Sequence, residues 1–264
     1  MFVAGYGHFL RTAASLQWDE ADVDLRPDAR AWPELAPALR ERVELLVAGF
    51  CIAEAAVAED IVPFGLAAPD PDAAACFEAQ AIDEQRHARF FDRVAAEVMT
   101  VPGGSAPARR STLRPRLPSG FVDLFEERLP RVARALAAPA GGEPARARGA
   151  LCDAVALYHL VLEGVVFSAG QLALLRLLDG PARVLAGLRE GLERVLADER
   201  WHIGLGVRLL DDVGGTAGWD ERLVAEAVDT AAIWGDAVET DLVERVIALH
   251  RRRLGVARLV GVAG

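Results

Sequence analysis

Two glutamate–histidine pairs with the same spacing are the residues in this chain best suited to chemistry. Glu84 precedes His87 by three positions, and Glu199 precedes His202 by the same interval. Side chains three residues apart share one face of a helix, so each pair can present a carboxylate and an imidazole to one metal ion. A single pair of this kind arises by chance on many helices, and the repetition is what indicates a site.

Two further glutamates stand in strongly apolar stretches of sequence. Glu54 lies in residues 50–57 and Glu163 lies in residues 160–167. An ionised carboxylate without a partner is costly in such surroundings, and bound cations would compensate it. A lone Glu followed by a Glu–His pair, twice over, is the order of ligands in dinuclear carboxylate bundles. The sequence therefore predicts that two metal ions are held by Glu54, Glu84, His87, Glu163, Glu199 and His202. Surface pairing of the glutamates with arginines, with the histidines in the core, is the alternative.

The ligand types indicate which metal would bind. Four carboxylates with two imidazoles favour iron or manganese over zinc. Asp198, next to Glu199, is the candidate to accept a hydrogen bond from a ligand imidazole. Asp83, next to Glu84, is a second candidate acceptor, but an exposed helix position is at least as consistent with the sequence.

The composition excludes several classes of function. The chain has 264 residues, 52% of them hydrophobic, and a net charge of -10, which disfavours nucleic acid and anionic membranes as partners. It contains no lysine, which excludes Schiff-base chemistry and a P-loop. Its cysteines are far apart and form no CxxC motif, which favours a reducing, cytoplasmic location over disulfides or a cysteine-ligated metal.

Apolar periodicity and helix-breaking residues predict an all-α bundle in a single domain, residues 1–264. We expect an irregular lead-in at 1–31, a linker loop at 101–120, and helices over 33–60, 73–99, 119–138, 146–178, 181–212 and 219–254. The run from Ala154 to Leu178 is apolar enough to raise the question of a membrane span. It contains His159, Glu163 and Arg176, so we expect a helix buried in the bundle and no membrane span.

Four stretches resemble a known family. Residues 18–24, 83–94 (DEQRHARFFDRV), 158–164 (YHLVLEG) and 198–207 (DERWHIGLGV) are similar to the ferritin-like superfamily that includes the ribonucleotide reductase small subunit. The similarity is closer to the small-subunit-like ligand-binding oxidases. This resemblance implies a ferritin-like four-helix bundle with accessory helices, a Mn/Fe or Fe/Fe centre and O2 as co-substrate. It also implies a hydrophobic ligand such as a fatty acid and a homodimer, and it leaves the electron donor unknown.

The same resemblance assigns roles to residues beside the ligands. In the oxidases a tyrosine five residues before the third-helix Glu becomes bonded to a valine three residues after the first Glu, which here are Tyr158 and Val57. Ordinary core packing of both residues is the alternative. The resemblance also suggests room for an apolar ligand at Gly164, Phe167, Ser168 and Gln171. Close helix packing explains Gly164 equally well.

Three histidines lie outside the predicted ligand set. We expect His8 and His250 at the surface, and we expect His159 to contact the metal ligands at most, without binding metal itself. A reductase subunit is disfavoured because Phe91 stands where a radical tyrosine is usual, and no tyrosine of a radical relay follows Tyr158. A non-catalytic metal-binding bundle or scaffold remains open.

Overall fold

The computed structural model describes residues 4–137, 144–179, 184–214 and 232–261, with side chains described as far as residue 252. Every regular element in these ranges is helical, which confirms the all-α prediction. The α-helices are α1 (Tyr6–Ser15), α2 (Arg26–Ala31), α3 (Pro37–Asp60), α4 (Val62–Leu66), α5 (Pro71–Arg93), α6 (Ala106–Leu113), α7 (Ser119–Asp123), α8 (Leu129–Ala137), α9 (Pro144–Val155), α10 (Ser168–Leu178), α11 (Ala186–Asp212) and α12 (Thr240–Gly261). Three π-helical stretches continue them, at Val94–Val98, Leu124–Arg128 and Ala156–Phe167.

Four long helical rods form the bundle that positions the predicted ligands. They are α3, α5, α11 and the rod made of α9, the stretch Ala156–Phe167 (hereafter the π segment) and α10. α3 packs on α5, α11 packs on the π segment, and α5 and α11 contact each other across the bundle. Local signals define the start of α5: Pro71 occupies its first turn, and the Asp70 carboxylate accepts the Ala73 amide at 2.9 Å.

An aromatic cluster packs between these rods. The ring of Phe50 stacks on Phe91 with centroids 4.8 Å apart and lies 5.3 Å from Trp234. Glycine makes room for this indole, because a Cβ at Gly49 or Gly170 would lie 2.3 Å or 2.6 Å from Trp234. The prediction that the apolar run 154–178 is a core helix agrees with the structure. One helix, Pro144–Leu178, is long and apolar enough to cross a membrane, and 83% of its most apolar window is buried inside the protein.

Two segments expected to be irregular are partly helical. The lead-in contains α1 and α2, and α1 buries Tyr6, Phe9 and Ala13 on one face. The Tyr6 hydroxyl donates to Asp212 at 2.6 Å, which ties this helix to the end of α11. Tertiary packing outweighs the turn-forming composition of the segment.

The predicted linker 101–120 contains α6, a 3-10 turn and the start of α7. Ser105 caps α6 by accepting the Ala108 amide, and Arg109 forms a two-point ion pair with Asp92 of α5 at 2.7 Å and 2.5 Å. Its arginines therefore hold it against the bundle, which a proline-rich sequence does not reveal.

The predicted C-terminal helix 219–254 is also different in the structure. Residues 215–231 of that range lie outside the described residues. A 3-10 stretch covers Ala232–Ala237, and α12 begins at Thr240, so helix is interrupted at 238–239. Gly235 has a φ of 54° within this stretch, a backbone conformation that glycine adopts readily.

Candidate metal centre

The structure brings together all six side chains that the sequence predicted as ligands. α3 supplies Glu54, α5 and α11 supply the two Glu–His pairs, and the π segment supplies Glu163. Glu199 is 2% exposed and the other five side chains are fully buried. Their potential ligand atoms converge in two groups that share Glu84.

One group surrounds His87. The Nδ1 atom of this imidazole lies 3.6 Å from Glu54 Oε2, 3.5 Å from Glu84 Oε2 and 3.7 Å from Glu199 Oε1. These separations exceed hydrogen-bond distance. They match two ligands on one ion, because bonds of about 2.1 Å at 90° to 120° place ligand atoms about 3.0–3.6 Å apart.

The other group surrounds His202 in the same way. Its Nδ1 atom lies 3.4 Å from Glu84 Oε1, 3.5 Å from Glu163 Oε1 and 3.6 Å from Glu199 Oε2. Glu84 and Glu199 thus each direct one oxygen to either imidazole. Glu54 faces only His87, whereas the Glu163 oxygen faces His202. Glu84 and Glu199 are therefore placed so that each could contribute one oxygen to either of two ion positions.

Unpaired buried polar atoms are a second, independent indication that these side chains bind two divalent ions. Seven buried atoms of these side chains have no hydrogen-bond partner among the described residues, and they include both Nδ1 atoms and both oxygens of Glu54. Buried polar atoms are almost always paired, so a group of unpaired ones that face each other indicates a bound cation. Four carboxylates and two neutral imidazoles carry a charge of about −4, which two divalent ions neutralise.

The charges of the cluster also control its protonation. Burial raises the pKa of Glu54 from its ordinary 4.5 to about 8, against the attraction of His87. Burial likewise raises the pKa of Glu163 well above its usual value. Burial disfavours the charged form of His202, but Glu84 and other carboxylates outweigh this effect and raise its pKa. The chain alone therefore retains protons on this cluster near neutral pH, and metal ions would displace them.

Two aspartates outside the cluster orient the imidazoles, and they do so crosswise. Asp198 of α11 lies 3.1 Å from Nε2 of His87 on α5 and accepts the Trp18 indole N–H at 2.9 Å. Asp83 of α5 lies 3.3 Å from Nε2 of His202 on α11 and accepts the Trp201 N–H at 3.2 Å. Asp83 is fully buried, which corrects our expectation that an exposed position was as consistent. Because Nε2 is engaged in this way, each imidazole directs Nδ1 to the cluster.

Sequence reasoning missed Gln80, which lies one helical turn before Glu84. Its amide nitrogen donates to Glu84 Oε1 at 3.1 Å and to Glu163 Oε1 at 2.6 Å. Its carbonyl oxygen lies 3.1 Å from His159 Nε2. Since the amide hydrogens are used by the glutamates, the network assigns the proton to His159 Nε2. A polar residue four positions before a predicted ligand was the available signal.

The histidine beside Gln80 is neutral, and its neighbour in the chain reaches the cluster. Burial and the nearby charge of His202 lower the pKa of His159 to about 3. His159 thus lies outside the ligand set, as the sequence predicted. The Tyr158 hydroxyl donates to Glu84 Oε1 at 3.1 Å, and burial raises the pKa of this phenol well above its usual value. Val57 is fully buried on α3, one turn beyond Glu54.

The four residues suggested for an apolar ligand lie around Glu163 and its helix, and all have partners in the protein. Phe167 stacks on Phe125 at 5.7 Å, the Ser168 hydroxyl donates to the Glu163 carbonyl oxygen at 2.9 Å, and Gln171 lies 3.5 Å from Glu199 Oε1. His250 covers Gly164, where a Cβ would lie 2.7 Å from its ring.

Close helix packing therefore accounts for Gly164, which was the alternative explanation. His250 is 2% exposed, so the expectation of a surface position was wrong. Its helix falls inside the range predicted as 219–254, but the sequence gives no indication that this face of α12 covers the π segment. A cavity of about 370 Å³ does lie between α3 and α6, lined in part by Ile52, Ala55 and Phe125, and none of the four suggested residues lines it.

The backbone around Glu163 is unusual. Residues 156–167 form twelve residues of π-helix, which is rare and frequent at functional sites. The wider turn contains Tyr158, His159 and Glu163, and so determines how these side chains project towards α5 and α11.

Comparison with known proteins shows what this architecture is similar to. No family model matches the sequence. A valine-to-leucine mutant of an R2-like ligand-binding oxidase, anaerobically reconstituted with a Mn/Fe cofactor, superposes with a TM-score of 0.76 at 19% identity, covering 96% of this chain and 92% of that chain.

Two further structures of R2-like ligand-binding oxidases give the same result. A glycine-to-phenylalanine mutant, aerobically reconstituted with Mn/Fe, has a TM-score of 0.76 at 18% identity over 96% of each chain. A glycine-to-leucine mutant with a non-activated Mn/Mn cofactor has a TM-score of 0.77 at 19% identity, covering 96% of this chain and 92% of that chain. The chain therefore has the fold of the R2-like ligand-binding oxidases, a ferritin-like helical bundle.

Proposed function

We propose that this protein is an O2-activating dinuclear metal oxidase with a Mn/Fe or Fe/Fe centre. The observation that carries the proposal is the convergence of six buried side chains, with unpaired ligand atoms, on two adjacent positions. Structures with the same fold are named oxidases with Mn/Fe cofactors, which supports this reading.

The residues of the chain divide the work between binding and orientation. His87 and Glu54 would hold one ion and His202 and Glu163 the other, with Glu84 and Glu199 spanning both. When bound, two redox-active ions supply the electrons and the Lewis acidity for activation of O2. Asp83 and Asp198 would keep the imidazoles aligned, and the burial of the site would restrict the access of water.

We further propose that the oxidised molecule is apolar, such as a fatty acid, or is the chain itself at Tyr158 and Val57. Tyr158 supports the second route because its hydroxyl contacts the bridging carboxylate of Glu84. In the internal reaction the O–H bond of Tyr158 and a C–H bond of Val57 break and a C–O bond forms. The two protons and two electrons released are taken up by O2, which is reduced to hydrogen peroxide. A homodimer in the cytoplasm, without nucleic acid as a partner, remains a prediction that light scattering and cell fractionation can test.

The test is aerobic metal loading of the purified protein. Fe(II), alone or with Mn(II), is added to the metal-free chain, and O2 consumption and intact mass are followed. We expect O2 uptake that depends on the metal, and a loss of two hydrogens localised to peptides with Tyr158 and Val57. Tyr158→Phe should consume O2 without that loss of mass.

The outcomes separate the candidate functions. Metal binding without O2 consumption would leave a non-catalytic metal-binding bundle, and no metal binding would leave a scaffold. O2 consumption with unchanged mass would remove the internal cross-link and retain the oxidase.

A further inference from the structure

Arg86 lies between Glu84 and His87 in the sequence, yet its hydrogen bonds among the described residues go to other side chains. Its side chain is 3% exposed, and its NH2 group contacts Asp83 Oδ1 and lies 3.1 Å from Asp198 Oδ2. The NH1 group donates to Gln17 Oε1 at 3.1 Å. One guanidinium thus joins two buried aspartates that belong to different helices.

Those aspartates are the ones that orient the imidazoles. Asp198 accepts from the His87 side and Asp83 from the His202 side, so each helix aligns the histidine of the other. Two carboxylates buried this close to a shared cation would repel each other without it, and removing one partner of a buried ion network leaves an uncompensated charge. Arg86 supplies the cation for both.

We propose that Arg86 is a positioning residue shared by both ion positions: it holds Asp83 and Asp198 so that each aligns one imidazole. This inference rests on the proposed function, since it assumes that the two imidazoles bind metal. Its consequence is specific: loss of the Arg86 charge weakens both positions together, whereas loss of either aspartate's charge weakens chiefly one.

The surroundings favour arginine over lysine at this position. The guanidinium reaches both aspartates with NH2 and Gln17 with NH1, and its Cζ atom lies 5.1 Å from the centroid of the Trp18 ring. A lysine carries the charge but lacks the planar fork and the second nitrogen. Arg86→Lys should therefore restore part of the function that Arg86→Met loses.

The experiment is stepwise Mn(II) binding to the metal-free full-length protein, followed by calorimetry and by electron paramagnetic resonance. We expect Arg86→Met to raise both dissociation constants about 10- to 100-fold, the usual cost of an outer-sphere change, and to diminish the signal of the coupled Mn pair. The dissociation constants of Arg86→Lys should lie between those of Arg86→Met and those of the wild type. Asp198→Asn and Asp83→Asn should each raise mainly one constant.

Arg194→Met is the matched control. Arg194 also lies over the Trp18 ring, at 5.7 Å, but pairs with Glu190 and contacts neither aspartate by hydrogen bond or ion pair among the described residues. The Arg194→Met protein should bind two Mn(II) ions with the dissociation constants of the wild type.

Two wild-type-like constants in Arg86→Met, or a change in one constant only, would overturn the inference. If the role of Arg86 were purely structural, Arg86→Met would have a lower melting temperature, and Arg86→Lys would not restore the Mn(II) dissociation constants. If Arg86→Met does not fold by circular dichroism, the lysine and asparagine variants decide: constants like those of the wild type in all three would overturn the inference. If the wild type itself binds no Mn(II), the proposed function fails; if it binds two and Arg86→Met binds two with the same constants, only the role of Arg86 fails.

Discussion

Replacing Glu54 by glutamine should stabilise the metal-free protein while it damages the metal site. Glu54 is fully buried, and its oxygens have no hydrogen-bond partner in the part of the chain that the structure describes. Its pKa rises from 4.5 to about 8 on folding. Between these values the folded state binds more protons than the unfolded state, so stability falls as pH rises through this window.

The magnitude follows from this shift. At pH 7 the unfolded carboxyl is ionised and the folded one is not, which costs about 3 kcal/mol, whereas at pH 5 the cost is about 1 kcal/mol. Glutamine has the same shape without the proton equilibrium. In the presence of chelator at pH 7, the free energy of unfolding of Glu54→Gln should therefore exceed that of the wild type by up to about 3 kcal/mol, which corresponds to about 6–12 °C in melting temperature. At pH 5 the difference should be smaller.

Metal should cancel most or all of the advantage of the variant at pH 7. At 100 times the dissociation constant, each Mn(II) bound only by the folded state adds about 2.7 kcal/mol, so the wild type gains from two ions and the variant from one at most. The assay is denaturant unfolding at pH 5 and pH 7, with chelator or with Mn(II). Glu59→Gln is the control, because Glu59 lies on the same helix with its side chain 71% exposed, and should change stability by less than about 0.5 kcal/mol. A metal-free Glu54→Gln less stable than the wild type at pH 7, or a difference that does not depend on pH, would refute the reasoning.

Two further predictions concern the surroundings of the site. Gly206→Ala should cost about 1–3 kcal/mol and disturb the histidine that contacts Gln80, because its Cβ would lie 2.2 Å from the Cβ of His159. Gly149→Ala, where a Cβ meets nothing within 4 Å, should be neutral or stabilising by up to about 1 kcal/mol; equal denaturation midpoints for the two variants would contradict this. Metal binding at pH 7 should release protons, since Glu54 with a pKa of about 8 is mostly protonated there, and affinity should fall as pH falls. Calorimetry in two buffers of different ionisation enthalpy measures this release, and identical heats in both would count against it.

The site could be predicted from the sequence because its essential features are local. A three-residue interval on a helix fixes which side chains share a face, and apolar residues on both sides of a glutamate predict that it is buried. The long rods followed from the same periodicity. The partner that each ligand faces was not readable, because it depends on the relative position of α5 and α11. The positions of Glu84 and Glu199 between the two imidazoles, and the crossed contacts of Asp83, therefore required the structure.

The corrected elements share another physical reason. The helices in 1–31 and 101–120 are short, and short helices draw their stability from tertiary packing rather than from propensity. Arg109 and Tyr6 provide such packing through partners far away in the sequence. The same holds for His250, whose burial results from the contact of α12 with the π segment.

The most direct test of the account is the metal content of the chain after loading with Mn(II) and Fe(II) and removal of excess ions. We predict about two ions per wild-type chain, and a clear loss of metal when the two glutamates that face both imidazoles are replaced together, as Glu84→Gln with Glu199→Gln. A wild-type content near zero, or two ions retained in the double variant, would contradict the claim that these buried carboxylates exist to hold a dinuclear centre.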